Sequence, residues 1–399
     1  MKYIVLIVDG ASGWGLPERG GKTCLELAQT PNLDAMAKES VLGMVRTVPE
    51  GMEPSSACAC MSLFGYDPRL YYRGRASIEA RSMDIPVEEG DVVFRCNLVA
   101  VRQGKMFDYS AGHISTEEAR QLIAVLDEDL GNDRLRFYPG VSYRHILKIS
   151  GREDTLSAVC TPPHDIPGRE ILEFLPHGPG SDLLLDLMTR SEEVLREHPV
   201  NVARRSRGDV APDRIWLFWG SGELPEMPSF KKQYGLDAVM TSGVDLLGGL
   251  AQMAGMEVLD IAGVTDGPDN DNEAQINGAL EALERKDLAV VHIEAPDEAA
   301  HGGSIDEKVE AIQRIDREVV SRIRAWRKGA LRVLVAPDHP TPIEIRTHSP
   351  DPVPFMLWGE GFKKNGAARF TEPEAAKTGL YIDPGYNIMR KLVGVDPTT

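Results

Sequence analysis

Three unbroken apolar runs, each followed closely by an aspartate, dominate the hydrophobic pattern of the chain. Residues 3–8 run into Asp9, residues 288–293 lead to Asp297, and residues 331–336 lead to Asp338. Runs without polar alternation are typical of strands buried on both faces, as in a parallel sheet covered by helices. Ligands bind beyond the carboxyl ends of such strands. The three aspartates are therefore predicted to meet at one edge of an α/β sheet.

Histidines accompany these aspartates. His339 follows Asp338 directly, and His348 lies nine residues further along. Asp297 and His301 follow Pro296, and a helix opened by that proline would place both side chains on one face. Asp9 alone is more simply a turn or capping residue, Asp297 with His301 an exposed i, i+4 pair, and Asp338-His339 part of a turn, but three such coincidences are rare. Carboxylates and imidazoles in similar number suit two divalent cations of the zinc, manganese or cobalt type.

A candidate nucleophile lies in the small-residue segment after Pro54. The pattern predicts a helix that begins at Ser55 or Ser56, where a hydroxyl meets free backbone N–H groups. Two interpretations stay open: an ordinary N-cap serine, or a metal-activated nucleophile for phosphoryl transfer. The glycine-rich loop at residues 10–15 lacks the third glycine of a dinucleotide fingerprint. We expect it to let the backbone approach the metal site.

From about Glu79 the pattern changes to that of an inserted α+β domain. It predicts a hairpin over residues 92–109, a helix from the capping box Ser115/Glu118 to about Leu130, and a helix over residues 181–198. Further strands are predicted at residues 134–138, 143–149 and 156–160. The buried-strand pattern resumes at residues 215–219. The predicted domains are therefore residues 1–80 with 211–399, and an insert at residues 81–210.

Composition narrows the classes of partner. The 399 residues are 42% hydrophobic and 26% charged, with a formal net charge of -17. An acidic surface disfavours nucleic acid, and any anionic substrate would need a local basic pocket. No apolar run approaches a membrane span, and the five cysteines form no C-x-x-C pair, which indicates reduced thiols in a cytoplasmic protein. Assembly into a homo-oligomer is left open.

Long stretches of the chain carry a family resemblance. They are TPNLDAMA from Thr30, SLFGYDPRLYYRGRASIEA from Ser62, SAGHISTEEA from Ser110, HIEAPDEAAHGG from His292 and PDHPTPIEIRTHSPDPVPF from Pro337. With these motifs the chain resembles the archaeal-type cofactor-independent phosphoglycerate mutases of the alkaline phosphatase superfamily. The resemblance implies a three-layer α/β/α domain with a mostly parallel sheet and a smaller inserted α+β domain.

The resemblance also implies a site and a reaction. Three residues would hold one metal ion: Asp297, His301 and His348. The other would be held by Asp9, Asp338, His339 and the nucleophilic Ser56. Oxygen-rich ligation favours Mn²⁺, while the histidines also accept Zn²⁺ or Co²⁺. The implied activity interconverts 3-phosphoglycerate and 2-phosphoglycerate through a phosphoserine.

The implied substrate is a small phosphorylated carboxylate bound by the insert. The insert positions that match the family motifs are Asp108, His113, Arg144, Asp165 and Arg204. Arginine forks suit carboxylates and phosphates, although an arginine near a domain surface is usually solvated.

Three positions depart from the family pattern. Ala57 stands where an aspartate usually follows the serine, and Cys60 stands where asparagine or histidine is common. Gln275 replaces a lysine thought to stabilise the phosphoseryl group, a loss on the order of several kcal/mol in the transition state. Two alternatives therefore stay open. One is a related metal-dependent phosphatase, phosphodiesterase or phosphonate hydrolase that uses the same serine, and the other is a catalytically impaired paralogue that binds a phosphorylated ligand.

Overall fold

The computed structural model of the chain describes residues 1–394. Within this range no helix is both long and apolar enough to cross a bilayer. The strands are β1 (Lys2–Val8), β2 (Val41–Val45), β3 (Asp91–Arg102), β4 (Lys105–Asp108), β5 (Leu135–Tyr138), β6 (Arg144–Ser150), β7 (Arg214–Ser221), β8 (Ala238–Thr241), β9 (Glu257–Val258), β10 (Leu288–Ile293), β11 (Leu331–Ala336), β12 (Val353–Gly359) and β13 (Tyr381–Ile382).

The helices alternate with these strands over most of the chain. They are α1 (Cys24–Leu27), α2 (Pro31–Ala37), α3 (Ser56–Leu63), α4 (Pro68–Tyr71), α5 (Arg75–Ser82), α6 (Thr116–Leu130), α7 (Ser181–Arg196), α8 (Pro199–Arg207), α9 (Phe230–Tyr234), α10 (Asp245–Met253), α11 (Asn272–Arg285), α12 (Ala295–His301), α13 (Ile305–Ile315), α14 (Ser321–Arg324), α15 (Glu372–Lys377) and α16 (Asn387–Val393). A π-helical turn at Asp316–Val320 joins α13 to α14.

The first of two compact units comprises Met1–Tyr72 and the chain from Glu226 onward. Its eight strands lie in the order β13-β2-β12-β11-β1-β10-β8-β9. Strand β1 pairs in parallel with both β10 and β11, and within residues 1–394 only β12 of this sheet runs antiparallel to its neighbours. The predicted mostly parallel α/β sheet is confirmed.

The central strand of this sheet is covered on both faces. Tyr3 to Val8 are all buried, although successive side chains point to opposite faces. On one face Ile4 and Leu6 belong to a core that includes Ile276 of α11 and Ile312 of α13. Burial of each such side chain stabilises the folded state by about 1.5–3 kcal/mol relative to leaving it exposed. The packing therefore fixes the strand ends at which the polar residues are found.

The second unit, Arg73–Pro225, is built on an antiparallel sheet. Its order is β4-β3-β6-β5, and β7 also pairs with β3. Helices α6 and α7 supply Leu122 and Leu187 to its separate hydrophobic core. The predicted hairpin is β3 with β4, and α6 begins after Ser115, whose hydroxyl accepts the Glu118 N–H.

Two sequence predictions for this region differ from the structure. Residues 156–160 are not a strand: a 3-10 turn occupies Glu153–Ser157, and only Val159 forms an isolated bridge. The run at residues 215–219 lies in β7, where Leu217 pairs with Cys96 of the insert sheet. Consequently the second unit extends from residue 73 to residue 225, beyond the predicted limits of 81 and 210. A buried strand shows the same apolar run in either sheet. The sequence pattern of residues 215–219 therefore could not show to which sheet the strand belongs.

Candidate metal centre

The segments that follow β1, β10 and β11 bring three aspartates together. Asp9 follows β1, Asp297 lies in α12 after β10, and Asp338 follows β11. Because β1 pairs in parallel with both neighbours, their carboxyl ends share one edge of the sheet. All three aspartates are buried, each at most 2% exposed.

The first predicted ligand set converges on one carboxylate. Asp297 Oδ2 lies 3.0 Å from His301 Nε2 and 3.6 Å from His348 Nε2. The two Nε2 atoms are 3.1 Å apart. The Nδ1 atoms contact backbone carbonyls instead, Arg346 O at 2.9 Å and Pro54 O at 3.3 Å. Imidazoles anchored through Nδ1 present Nε2 to a metal.

Protonation in this set reflects its charges. Burial by itself would raise the pKa of Asp297, but hydrogen bonds from His301 and His348 outweigh it and hold that pKa well below its usual range. Burial lowers the pKa of His301, yet the bond to Asp297 raises it to about 9. Without metal the set therefore holds a proton near neutral pH, and metal binding would release it.

The second set surrounds His339. Its Nε2 atom lies 3.2 Å from Asp338 Oδ2, 3.7 Å from Asp9 Oδ1 and 3.2 Å from Ser56 Oγ. Burial lowers the pKa of His339 to about 4, so the ring is neutral. Burial, with the neighbouring Asp338 and Asp297 carboxylates, raises the pKa of Asp9 well above its usual range.

These residues fit divalent cations. Within each set the carboxylate and imidazole ligand atoms lie within 4.8 Å of one another. Asp9 Oδ1 is buried without a hydrogen-bond partner among the described residues. Such an atom is costly unless it is paired or coordinates a metal, and clustered carboxylates repel one another until a cation is present. Oxygen and imidazole ligands together suit Mn²⁺, Zn²⁺ or Co²⁺.

Gly10 shows why the loop after Asp9 contains glycine. Its φ is +59°, and a Cβ built there would lie 2.3 Å from Asp297 Oδ1 and 2.8 Å from Asp297 Cα. Only glycine accepts both the conformation and the contact. The predicted close approach of this loop to the ligand residues agrees with the structure.

Ser55 and Ser56 lie in different environments, and each matches one of the two interpretations of the small-residue segment. Ser55 is the N-cap of α3, and its hydroxyl accepts the Cys58 N–H at 3.3 Å. Ser56 is the first helical residue, is only half-buried, and directs Oγ to His339. The capping role therefore falls to Ser55, and Ser56 Oγ is left at the ligand cluster.

The positions that depart from the family pattern are accommodated without charge. Ala57 is fully buried, and Cys60 Sγ lies 3.9 Å from Asp338 Oδ2. Gln275 accepts a hydrogen bond from Asn270 at 2.8 Å and donates one to the carbonyl of His292 at 2.9 Å. Its amide thus braces the end of β10.

Two residues of this edge were missed by the sequence analysis. His292 Nε2 lies 2.7 Å from Asp9 Oδ2 and 3.5 Å from Glu294 Oε2. With Asp9, they form a third group of closely spaced ligand atoms. Burial and the neighbouring Asp9 raise the pKa of Glu294 well above its usual range. The available signal was a histidine inside an otherwise apolar strand.

Four of the predicted insert residues lie in or beside a group of rings formed by Tyr109, Tyr143 and His164. His113 has its ring 6.1 Å from that of Tyr143, and the Arg144 guanidinium lies 5.8 Å from the same ring. Asp165 is exposed beside His164, whose ring is 6.2 Å from Tyr109. Asp108 precedes Tyr109, and its Oδ1 accepts two hydrogen bonds from Ser110.

Arg204 is placed differently from the other four. It is buried, and its guanidinium donates to Val210 O at 2.9 Å, Glu118 Oε2 at 2.6 Å and Ala111 O at 3.0 Å. All three nitrogens are thus engaged within the insert. Arg204 therefore braces the insert, and its predicted contact with substrate stays a prediction.

A family model and individual relatives that resemble this chain carry the same description. The model of the family described as 2,3-bisphosphoglycerate-independent phosphoglycerate mutase matches residues 37–201. A relative of that name from Methanothrix thermoacetophila is 47% identical over 98% of this chain and 100% of its own length. One from Methanosarcina barkeri is 45% identical, covering 95% of this chain and 96% of the relative.

Two solved structures share the fold. PH0037 protein from Pyrococcus horikoshii has a TM-score of 0.82 and 26% identity, covering 100% of this chain and 98% of that protein. The cofactor-independent phosphoglycerate mutase of Thermoplasma acidophilum has a TM-score of 0.64 and 24% identity, covering 99% and 100%. The predicted fold class is therefore confirmed over nearly the whole chain.

Proposed function

The chain belongs to the family of 2,3-bisphosphoglycerate-independent phosphoglycerate mutases, and we propose that it interconverts 3-phosphoglycerate and 2-phosphoglycerate through a phosphoserine at Ser56. One observation carries the proposal. Ser56 Oγ lies 3.2 Å from His339 Nε2, inside a group of carboxylates and imidazoles that fits divalent metal ions. A hydroxyl placed there is suited to attack phosphorus.

The reaction divides into two displacements at phosphorus. Ser56 Oγ loses its proton as it forms a bond to phosphorus, the bond from phosphorus to the C3 oxygen of the substrate breaks, and that oxygen takes up a proton. The glycerate then accepts the group on its C2 hydroxyl, which loses its proton, and Ser56 is regenerated. Two divalent cations held by the ligand sets would supply Lewis-acid stabilisation of the phosphoryl oxygens. Mn²⁺ is our first choice because the ligands are rich in oxygen.

We assign binding of the glycerate portion to the insert. Arg144 and His113 present cationic or hydrogen-bonding groups beside Tyr143, and Asp165 can accept from a substrate hydroxyl. Asp108 would act through the turn that it forms with Ser110. Arg204 would hold the Ala111 carbonyl, and so the loop that carries His113.

A two-product assay tests the proposal. Protein reconstituted with Mn²⁺ is given 3-phosphoglycerate, and 2-phosphoglycerate and free phosphate are measured together. We expect the isomer without phosphate, and loss of the isomer in Ser56→Ala. Ser55→Asn is the matched control, because asparagine keeps an N-cap acceptor and leaves Ser56 in place.

The other outcomes select the alternatives. Free phosphate as the only product would contradict the mutase and indicate a hydrolase in which water attacks the phosphoserine. Neither product, despite bound metal, would indicate a paralogue that binds a phosphorylated ligand without turnover.

A further inference from the structure

Thr341 is a buried residue that contacts one ligand of each set. Its hydroxyl hydrogen-bonds Asp297 Oδ1 and lies 3.3 Å from His339 Nδ1. The side chain is fully inaccessible to solvent. Asp297 belongs to the first ligand set and His339 to the second. One hydroxyl therefore contacts both predicted ligand sets.

The single proton of this hydroxyl determines both contacts. A ligating carboxylate only accepts hydrogen bonds, so Thr341 donates its proton to Asp297. Its oxygen must then accept from His339 Nδ1–H. That tautomer leaves the lone pair of His339 on Nε2, the atom that faces Ser56 Oγ at 3.2 Å. The hydroxyl thus orients one ligand and selects the tautomer of the other.

The backbone of Thr341 is held in place from two sides. Its N–H donates to Ser12 O at 3.1 Å. Its carbonyl accepts from Lys308 Nζ at 2.8 Å, and the same ammonium donates to Ser12 O at 2.9 Å. Lys308 is completely buried. These bonds tie the loop after β11 to the loop after β1, so the hydroxyl has little freedom to move.

We propose that Thr341 is a positioning residue that prepares both metal positions through one hydroxyl. The inference rests on the proposed metal centre and does not require the mutase reaction. Outer-shell hydrogen bonds of this kind alter metal affinity by about 10- to 100-fold. Removing the hydroxyl should therefore weaken both positions together, because it hydrogen-bonds Asp297 and lies beside His339.

The test compares three variants by titrating Mn²⁺ calorimetrically into metal-free protein. Thr341→Val keeps the shape and removes the hydroxyl, while Thr341→Ser retains it. Thr241→Val is the matched control, because Thr241 is equally buried and its hydroxyl has no hydrogen-bond partner within residues 1–394. We expect two sites in every protein, with affinity reduced by about 10- to 100-fold at both sites in Thr341→Val alone.

Several results would overturn the inference. They are wild-type affinity at both sites in Thr341→Val, a loss confined to one site, and an equal loss in Thr341→Ser. A lower melting temperature of the metal-free variant with unchanged affinity would reduce Thr341 to a structural role. Thr341→Ala provides the same comparison should the valine variant fail to fold. Two sites of wild-type affinity in a folded Thr341→Val or Thr341→Ala variant would refute the inference and leave the proposed function unaffected.

Discussion

At the residue scale, hydrogen-bond partners separate side chains that the sequence treats alike. Ser55 and Ser56 are neighbours, but only Ser56 reaches His339. His292 and His339 are both buried, yet their proton arrangements differ. Ser242 Oγ accepts the Val244 N–H at 3.0 Å and lies 3.0 Å from His292 Nδ1, and His292 Nε2 lies 2.7 Å from Asp9 Oδ2. A carboxylate that ligates a metal ion only accepts hydrogen bonds. His292 Nε2–H is then the donor to Asp9 Oδ2.

His292 provides the first prediction at this scale. His292→Leu removes the donor that holds Asp9 Oδ2, so the metal position that includes Asp9 should weaken by about 10- to 100-fold. His292→Gln places an amide donor near the same point and should recover part of the affinity. Metal titration measures both variants. Equal affinity in His292→Leu and the wild type would contradict the role assigned to this histidine.

Glu79 provides a pH prediction within the insert. The residue is 7% exposed. Its carboxylate accepts one hydrogen bond from Arg95 Nη1 and another, at 2.7 Å, from Arg75 Nε. Burial raises the pKa of Glu79, but the two arginines outweigh it, and the folded pKa is lowered. The stabilisation is therefore present above the unfolded pKa of about 4.3. It is lost as pH falls through the folded value.

Glu79→Gln should lower the free energy of unfolding at pH 7 by about 3 kcal/mol, because Arg95 keeps a buried charge without its partner. The difference between wild type and variant should shrink on acidification, since the wild-type carboxyl then becomes neutral as well. Urea titrations at a series of pH values measure this difference. A constant difference between pH 7 and the acid limit would contradict the assigned linkage.

At the element scale, the apolar pattern predicted the strands better than it predicted their sheet. The runs before Asp9, Asp297 and Asp338 lie in neighbouring parallel strands, as expected. The run in β7 joined the insert because its pairing with β3 is a tertiary choice. Residues 156–160 pair with no strand of the described chain: a 3-10 turn ends at Ser157, and Val159 forms an isolated bridge. Neither the sheet that β7 joins nor the absence of a strand at residues 156–160 can be predicted from the local sequence.

The candidate site also combines residues that the sequence pattern reveals with residues that only the tertiary contacts reveal. Strand-end aspartates and helix-spaced histidines are visible in the sequence because they sit at fixed offsets from the apolar runs. His292 and Thr341 are not, because their importance comes from contacts with residues distant in the chain. Arg204 was predicted as a substrate ligand from its motif, and its three hydrogen bonds within the insert became visible only in the structure.

Metal removal tests the sheet edge as one element. Three strands end at mutually repelling carboxylates, so bound cations should stabilise the folded chain. At a free metal concentration about 100 times the dissociation constant, a site bound only in the folded state adds about 2.7 kcal/mol. Chelation should therefore lower the melting temperature and abolish isomerisation, and Mn²⁺ should restore both. An unchanged melting temperature after verified metal removal would contradict the assigned ligand sets.

At the scale of the whole molecule, the chain joins a unit that contains the candidate metal centre to an inserted unit with its own core. The insertion was predictable from the change of pattern near Glu79, whereas its limits were not, because α5 and β7 pack within the insert. The formal net charge of -17 opposes an anionic substrate. An anionic substrate therefore needs local positive charge at its binding site.

The most direct test of the central claim is to identify the phosphorylated residue during turnover. Metal-loaded protein is mixed briefly with 3-phosphoglycerate, quenched in acid, digested and analysed by mass spectrometry. The proposed mechanism predicts one phosphoryl group, on Ser56, present only when both metal and substrate are supplied. Isomer formation with Ser56 unmodified at every quench time, or a phosphoryl group on another residue, would contradict it.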